Sequence, residues 1–523
     1  MTGSRSPHRI VLTGGHVYSG HLADATALVI VDGRIAWLGD DRTALSLAVS
    51  GDRHVDLQGA LVCPGFVDAH VHVTSTGLVM TGLDLTGIRS RRSLMEAITA
   101  FASTCTDPVL LGHGWDDSTW PEDGLPTQAD LDTACGGRPM YLSRIDVHSA
   151  LVSTALLRQV PQAADLPGFG TAVSNEAHHL VRTRALDSID AAQRRRAQVR
   201  VLEHASSRGI VALHENAGPT ISSEEDLTDL LALARAFDGP RVIGYWAQLA
   251  QEGGIDRARS IGAHGVAGDL FVDGALGSRT ACLCEPYRDA GSTSGTRYLQ
   301  VSAIAGHIVE ATRAGMQAGF HVIGDSACSA VIDGFLEAEK VVGEGPLRAG
   351  HHRLEHAEML SDRDIAVMSR LGIIASMQPM FDALWGGVGG MYEQRLGFPR
   401  CLQMNRFADL NSAQVALAFS SDSPVTAMEP WLAVQAAVHH HTAEQSLSLA
   451  DAFAAHTRGG WQAMGNDTTG VIEVGAPAHL ALWNADGIDM HEGLPTEALD
   501  ASRCLATFVD GMSVYSNEQL RLP

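Results

Sequence analysis

The sequence predicts an α/β protein: a (β/α)8 TIM-type barrel, with a β-sandwich domain built from both termini and an α/β subdomain inserted between the first two barrel strands. Three observations predict it. Short apolar runs alternate with helical stretches through the middle of the chain, making eight strands in all. Both ends of the chain read as strands punctuated by turn dipeptides. Residues 73–205, which follow the first barrel strand, are too many for a loop and must hold structure of their own.

The terminal strands come first. Arg9-Ile-Val-Leu-Thr13, Ala27-Leu-Val-Ile-Val31, Arg34-Ile-Ala-Trp-Leu38 and His54-Val-Asp-Leu57 are apolar or alternating, and Gly14-Gly15, Asp32-Gly33 and Gly51-Asp52 separate them. Ala478-His-Leu-Ala-Leu-Trp483, Cys504-Leu-Ala-Thr-Phe-Val509 and Ser513-Val-Tyr515 mirror them at the far end. The β-sandwich is assigned to residues 1–63 and 466–523, the barrel to 64–72 and 206–465, and the inserted α/β subdomain to 73–205.

The first barrel strand is Pro64-Gly-Phe-Val-Asp-Ala-His-Val-His72. Strand side chains alternate, so Asp68, His70 and His72 share one face, and two imidazoles so placed can chelate one ion. The other seven strands are read at 208–215, 241–248, 268–273, 319–323, 352–356, 373–378 and 415–422. Helical periodicity covers 303–315, 326–340 and 361–371 between them. Within the insert, 108–115 and 139–146 read as strands and 191–206 as a helix.

Composition bounds the function. The chain has 523 residues and a formal net charge of −23, which argues against nucleic acid and anionic membrane as partners. It has no secretory h-region at its start and no apolar run long enough for a transmembrane helix. The eight cysteines are scattered and read as reduced thiols of a cytoplasmic protein, with Cys282-x-Cys284 structural. The expected partner is a small-molecule substrate, with self-association into a homo-oligomer left open. The only lysine is Lys340.

Residues able to do chemistry gather at the strands' C-terminal ends, where barrel active sites lie: His70, His72, Glu215, Asp269 or Asp273, His321, His356 and Asp422. Four imidazoles and a carboxylate suit a divalent metal, Zn²⁺ above all, with Mn²⁺ or Fe²⁺ compatible.

These segments resemble the amidohydrolase superfamily, and within it amidohydrolase family 3, the branch containing the N-substituted formamide deformylases. The likeness is carried by the first-strand motif, Phe271-Val-Asp-Gly-Ala-Leu-Gly-Ser-Arg-Thr-Ala281, His321-Val-Ile-Gly-Asp325, Arg353-Leu-Glu-His-Ala-Glu-Met-Leu360, Ala375-Ser-Met-Gln-Pro379 and Ser421-Asp-Ser-Pro-Val425. Gly114-Trp-Asp116 and Pro126-Thr-Gln-Ala-Asp-Leu-Asp132 extend it into the insert. The resemblance implies that His70, His72, His321, His356 and Asp422 form the metal site. Many relatives carry a carboxylated lysine on the fourth strand that bridges two metals. Here that slot holds Asp269, whose side chain falls short of a carbamate by about 5 Å. A single metal is therefore the simpler expectation, and Glu215 is the candidate bridge if there are two. Glu215 reads equally as a hydrogen-bonded strand-end residue.

The expected reaction is hydrolysis of a non-peptide, amide-type C–N bond by metal-bound hydroxide. Asp422 serves as general base and then acid, and His356 or the metal stabilises the oxyanion. Trp115, Asp116, Arg279 and Gln378, with Trp120 and Trp385, are candidates to line the substrate pocket. His439-His-His441 is read as cationic residues at a helix end. One alternative is a deaminase of a ring or guanidine C–N bond, for which Asp325 stands where such barrels place a glutamate. Another is a catalytically silent binding or scaffold protein on the same fold.

Overall fold

The computed structural model describes residues 9–145 apart from 21, 23, 122 and 123, then 149–484 and 503–520. The chain forms two compact units, Met1–His72 with Leu202–Pro523, and Val73–Val201.

In the first unit, eight parallel strands follow one another in chain order: Phe66–Val71, Ile210–Ala217, Arg241–Trp246, Gly265–Val266, Gln317–Val322, Arg353–His356, Ile374–Met377 and Leu417–Phe419. The first and last strands meet just past their ends. Val71 bridges Ser423, Asp422 N–H donates to His70 O (2.8 Å) and His72 N–H to Ser423 O (2.9 Å). That closure makes the sheet a barrel. It also sets His70, His72 and Asp422 side by side although some 350 residues separate them in the chain.

The fourth strand departs from expectation. It is only Gly265–Val266, not 268–273. Gly268 takes φ +90°, in the left-handed region, and a Cβ there would sit 2.7 Å from Asn216 Oδ1. The glycine turns the chain out of the ladder at that point. The next residues still lie along the fifth strand, with His321 N–H on Leu270 O (3.1 Å) and Val272 N–H on His321 O (3.0 Å).

The terminal strands form two sheets. One is ordered Arg34–Gly39, Ala27–Val31, Arg9–Thr13, Arg53–Asp56 and the other His16–Val17, Leu61–Pro64, Leu480–Asn484, Arg503–Val509, Met512–Ser516. Ile10, Leu12, Leu28 and Ile30 of the first pack in one core with Val62, Leu480, Leu482 and Phe508 of the second. Hairpin chemistry fixes their register. Asp32 and Gly33 both have positive φ (47° and 82°), as do Asp510 and Gly511 (49° and 71°), the conformation that two-residue hairpins of the primed type demand.

The second unit is a five-stranded mixed sheet, ordered Ala172–Ser174, Ser149–Val152, Met140–Arg144, Leu110–Trp115, Leu83–Asp84, with an apolar core on each face. Asp146, at the end of the strand expected at 139–146, lies outside the described residues.

Two buried histidines are expected to make the barrel acid-sensitive. His307 Nδ1 accepts from Ala250 N–H (3.0 Å) while Nε2 donates to Val266 O (2.9 Å), and His352 Nδ1 accepts from Ala318 N–H (3.0 Å). A second proton on either ring would break a backbone hydrogen bond at a fully buried position. Burial accordingly brings His307 down to about 4 and His352 down to about 3. Both lie below the unfolded value near 6.5, so between these limits the unfolded chain binds more protons and stability rises with pH. The contribution is complete above about pH 6.5 and lost as pH falls through 4, on the order of 3 kcal/mol for His307. Urea unfolding midpoints are expected to fall between pH 7.5 and pH 5. His307→Gln, which keeps a donor and an acceptor but does not titrate, is expected to flatten that slope.

Candidate metal centre

Six side chains converge where the barrel strands end. Their facing atoms form three groups of mutually close ligand atoms: His70, His72 and Asp269; His70, His356 and Asp422; and Asp269, His321 and His356. Asp269 Oδ2 lies 3.2 Å from His72 Nε2, and Oδ1 lies 3.4 Å from His321 Nδ1, 3.5 Å from His70 Nε2 and 3.7 Å from His356 Nε2. Asp422 Oδ1 lies 3.2 Å from His72 Nε2 and 3.5 Å from His70 Nε2. Ligands bound at 2.0–2.2 Å around a tetrahedral ion stand about 3.4 Å from one another. The observed spacings match that shell better than direct hydrogen bonds.

The backbone aims these groups. Alternation along the first strand turns His70 inward. In a plain strand His356 would point away from its neighbour Glu355, but φ of +68° at His356 and +47° at Ala357 swings the imidazole to the centre. Asp422 is likewise left-handed, at +53°. Such conformations in non-glycine residues persist only where surrounding contacts hold them. Asp68 supplies one such contact: its carboxylate accepts from Ser421 N–H (2.9 Å) and from the Ser421 hydroxyl, fixing the residue before Asp422.

Asp269 was expected to fall short of the place a bridging carbamate reaches, and the structure sets its carboxylate among the histidines. Its side chain is short, but the turn at Gly268 carries its backbone toward the centre, and it is the carboxylate that joins the histidine groups. Glu215, the candidate bridge, is buried on the second strand and belongs to none of the three groups. Asp273 is engaged elsewhere, accepting from the backbone N–H of Cys282 (2.8 Å), Ile323 (3.0 Å) and Gly324 (2.8 Å).

An outer ring holds the imidazoles. His70 Nδ1–H donates to Glu355 Oε2 (2.9 Å), His356 Nδ1–H to Gln378 Oε1 (2.9 Å), and His321 Nε2–H to Gly274 O (3.3 Å). Each bond places the proton on the outer nitrogen and leaves a lone pair facing inward. His356 thus turns a nitrogen lone pair toward the cluster, an arrangement suited to holding a cation rather than to donating to an oxyanion. Gln378 orients it, with its own Nε2 on Ser420 Oγ (3.0 Å), and is not a pocket residue. Glu355 went unnoticed in the sequence, although an Arg-x-Glu pair on an interior strand face next to a ligand histidine is a usable signal. Arg353 forks onto Glu355, also reaches Ala69 O (2.6 Å) and Ser376 Oγ (2.9 Å), and stacks on Tyr245 at 4.8 Å. Burial works to raise Glu355, but the Arg353 guanidinium brings it down to about 2. Glu355→Gln is expected to weaken metal affinity roughly 10–100-fold, as outer-ring changes do. Competition with a metallochromic chelator measures it, and an unchanged affinity contradicts this role.

The remaining pocket candidates are committed elsewhere. In the insert, Trp115 is buried in one core with its indole N–H on Leu142 O (2.8 Å), and Trp120 packs beside it. Asp116 caps the 3-10 turn Asp117–Thr119 and pairs with Arg144 (2.8 Å). In the barrel unit, Arg279 forks onto Asp289 (3.2 and 2.7 Å). Trp385 packs on Phe381, ring centroids 4.6 Å apart, and Phe381 stacks on His356. Asp325 accepts from Cys284 N–H and Ser326 N–H, so it is tied to backbone rather than poised as a proton shuttle. Of the 439–441 run, His440 and His441 face the Asp382 carboxylate (3.5 and 3.1 Å), and burial lowers His440, which is not the cation expected at a helix end.

The donors fit a divalent cation. Among the described residues, His70 Nε2, His321 Nδ1, His356 Nε2 and Asp269 Oδ1 are buried without a hydrogen-bond partner. Four such atoms facing one another are costly unless something binds them. Without a cation, protons do so. Burial works to lower His70, yet the charges of Asp269 and Asp422 push it up to about 10. Burial works to raise Asp269 and Asp422, and the imidazoles around them hold both below the ordinary carboxylate value.

A parallel eight-stranded barrel whose strand ends gather histidines and aspartates in this way defines a metal-dependent hydrolase. The chain belongs to the amidohydrolase family, amidohydrolase family 3, whose profile matches residues 53–515. N-substituted formamide deformylase of Arthrobacter pascens is 23% identical, over 94% of this chain and 95% of that protein. Protein LONG AFTER FAR-RED 3 of Arabidopsis thaliana is 26% identical, over 97% of this chain and 91% of its own length. Among solved structures, an uncharacterized metal-dependent hydrolase from Pyrococcus furiosus superposes with a TM-score of 0.77 at 26% identity, covering 91% of this chain and 98% of that one. Among the described residues, no helix is long and apolar enough to cross a membrane.

Proposed function

We propose that the protein hydrolyses a non-peptide, amide-type C–N bond of a small molecule, with Zn²⁺ as the ion and Asp422 as the acid–base group. The observation that carries this reading is the convergence of histidine and aspartate atoms at 3.2–3.7 Å. A divalent ion held there would polarise a carbonyl and make water acidic enough to react near neutral pH. His70, His72, His321, His356 and Asp269 are the residues to hold it. The mix of imidazole and carboxylate donors favours zinc among common divalent ions.

Asp422 performs the proton transfers. Its carboxylate takes the proton of the attacking water and delivers it to the departing nitrogen, so the products are a carboxylic acid and an amine. The eight thiols are all unpaired, which accords with a reducing compartment such as the cytoplasm.

The test is turnover by zinc-loaded protein of a panel of N-formyl amines, N-acyl amines, cyclic amides and guanidines, reading amine and ammonia separately. Amine and carboxylate release is expected. Ammonia from guanidines or ring amines alone would replace this reading with a deaminase. Bound zinc without any turnover would favour a silent binding protein.

A further inference from the structure

We infer that a cleft at the foot of the barrel, at the opposite end from the metal centre, is a binding site for an aromatic α-amino acid. The cleft has a volume of about 820 Å³ and opens between the start of the third barrel strand, Arg241–Trp246, and the C-terminal hairpin around Asp510. Both belong to the first unit. The volume is in the range that holds small organic ligands. Among the described residues, none of the three groups of close metal-ligating atoms includes a residue of its lining. The cleft therefore offers a binding surface and not a second copy of the metal centre.

The floor of the cleft is apolar and suits a ring. Ile243, Trp461 and Val509 are buried core side chains, and half-buried Met464 and Val514 pack against them. Met512, 54% exposed, adds a second thioether from the hairpin. Thioethers fit irregular shapes and make favourable contacts with ring edges, so two methionines beside an indole favour an aromatic body.

The rim carries balanced charge. Arg241 pairs with Asp510, so these two cancel. Arg235 stands in the last turn of the helix Glu224–Ala236, and Asp238 lies two residues past its end. Both are exposed, and among the described residues neither has a hydrogen-bond or ion-pair partner, not even the other. His264, the remaining titratable group of the lining, is lowered by burial and by the Arg353 charge, so it is neutral near pH 7. An unpaired guanidinium and an unpaired carboxylate beside one apolar floor are the complement of a ligand with a carboxylate, an ammonium and a ring. An aromatic acid would leave Asp238 unpaired and an aromatic amine would leave Arg235 unpaired, whereas an α-amino acid offers a partner to each.

The test is equilibrium dialysis of the full chain against radiolabelled L-tryptophan. Saturable binding of one equivalent is expected, weakened about tenfold or more in Arg235→Met and in Asp238→Asn. Both side chains are exposed and unpartnered, so neither change threatens the fold, which circular dichroism checks. Tryptamine lacks the carboxylate, indole-3-propionate lacks the ammonium and glycine lacks the ring, and each is expected to compete at least about tenfold more weakly. His70→Ala/His72→Ala is expected to bind L-tryptophan as the wild type does, because the cleft shares no residue with the metal centre. No saturable binding at millimolar concentration overturns the inference. So does binding that both rim variants leave unchanged or that the histidine variant abolishes, since either places the amino acid elsewhere. Tryptamine or indole-3-propionate binding as tightly as L-tryptophan overturns the assignment to an amino acid.

Discussion

Asp422→Asn is expected to lower kcat by roughly 10²–10⁴-fold, the usual worth of a positioned general base. The amide matches the carboxylate in shape, so the φ of +53° at this position and the backbone bond from Asp422 N–H to His70 O (2.8 Å) have no reason to change. What is lost is the basic oxygen 3.2 Å from His72 Nε2. The effect belongs in kcat rather than KM, and metal content should fall far less than activity because the imidazoles remain. The acid limb of the wild-type pH–rate profile, set by protonation of the Asp422 carboxyl, should vanish in the variant. A loss under tenfold, with the metal retained, contradicts the assignment.

Arg353→Met carries the largest expected cost in stability, about 3–5 kcal/mol. Arg353 and Glu355 are both fully buried and hydrogen-bonded to one another. Removing the guanidinium leaves the Glu355 charge without its counterion, and a carboxylate brought down to about 2 by that partner has nowhere to discharge except toward protonation. Urea unfolding measures the loss. Arg353→Met/Glu355→Gln should recover most of it, since an uncharged pair needs no compensation, yet should still bind metal weakly because His70 Nδ1 loses its carboxylate partner. A double variant no more stable than the single one contradicts the ion-pair account.

The barrel was legible because its strands are apolar runs separated by helical periodicity, and the terminal sheets because Asp32-Gly33 and Asp510-Gly511 mark hairpins whose turns demand positive φ. The members of the cluster were legible as residue types at strand ends: His70 and His72 through simple alternation, and His321 and Asp422 through position. What stayed hidden depends on backbone conformation or on partners distant in sequence. Gly268 at φ +90° ends the fourth strand early and brings Asp269 inward, and nothing in a one-dimensional count of side-chain length reports that turn. Gln378 looked like a pocket residue because it follows a strand. Only three-dimensional proximity assigns it to His356, 22 positions back in the chain. Trp115 and Asp116 sit in a motif shared with relatives, yet a shared motif serves packing as readily as binding, and here the indole fills a core while the carboxylate caps a turn.

The most direct measurement is metal content per chain, by elemental mass spectrometry, on wild type and His70→Ala/His72→Ala purified without a tag or chelator. At least one equivalent of a divalent transition metal in the wild type, lost in a variant that still folds by circular dichroism, is the predicted result. No metal in either protein, even after reconstitution with zinc, would contradict the central claim that these converging histidines and aspartates are a metal centre.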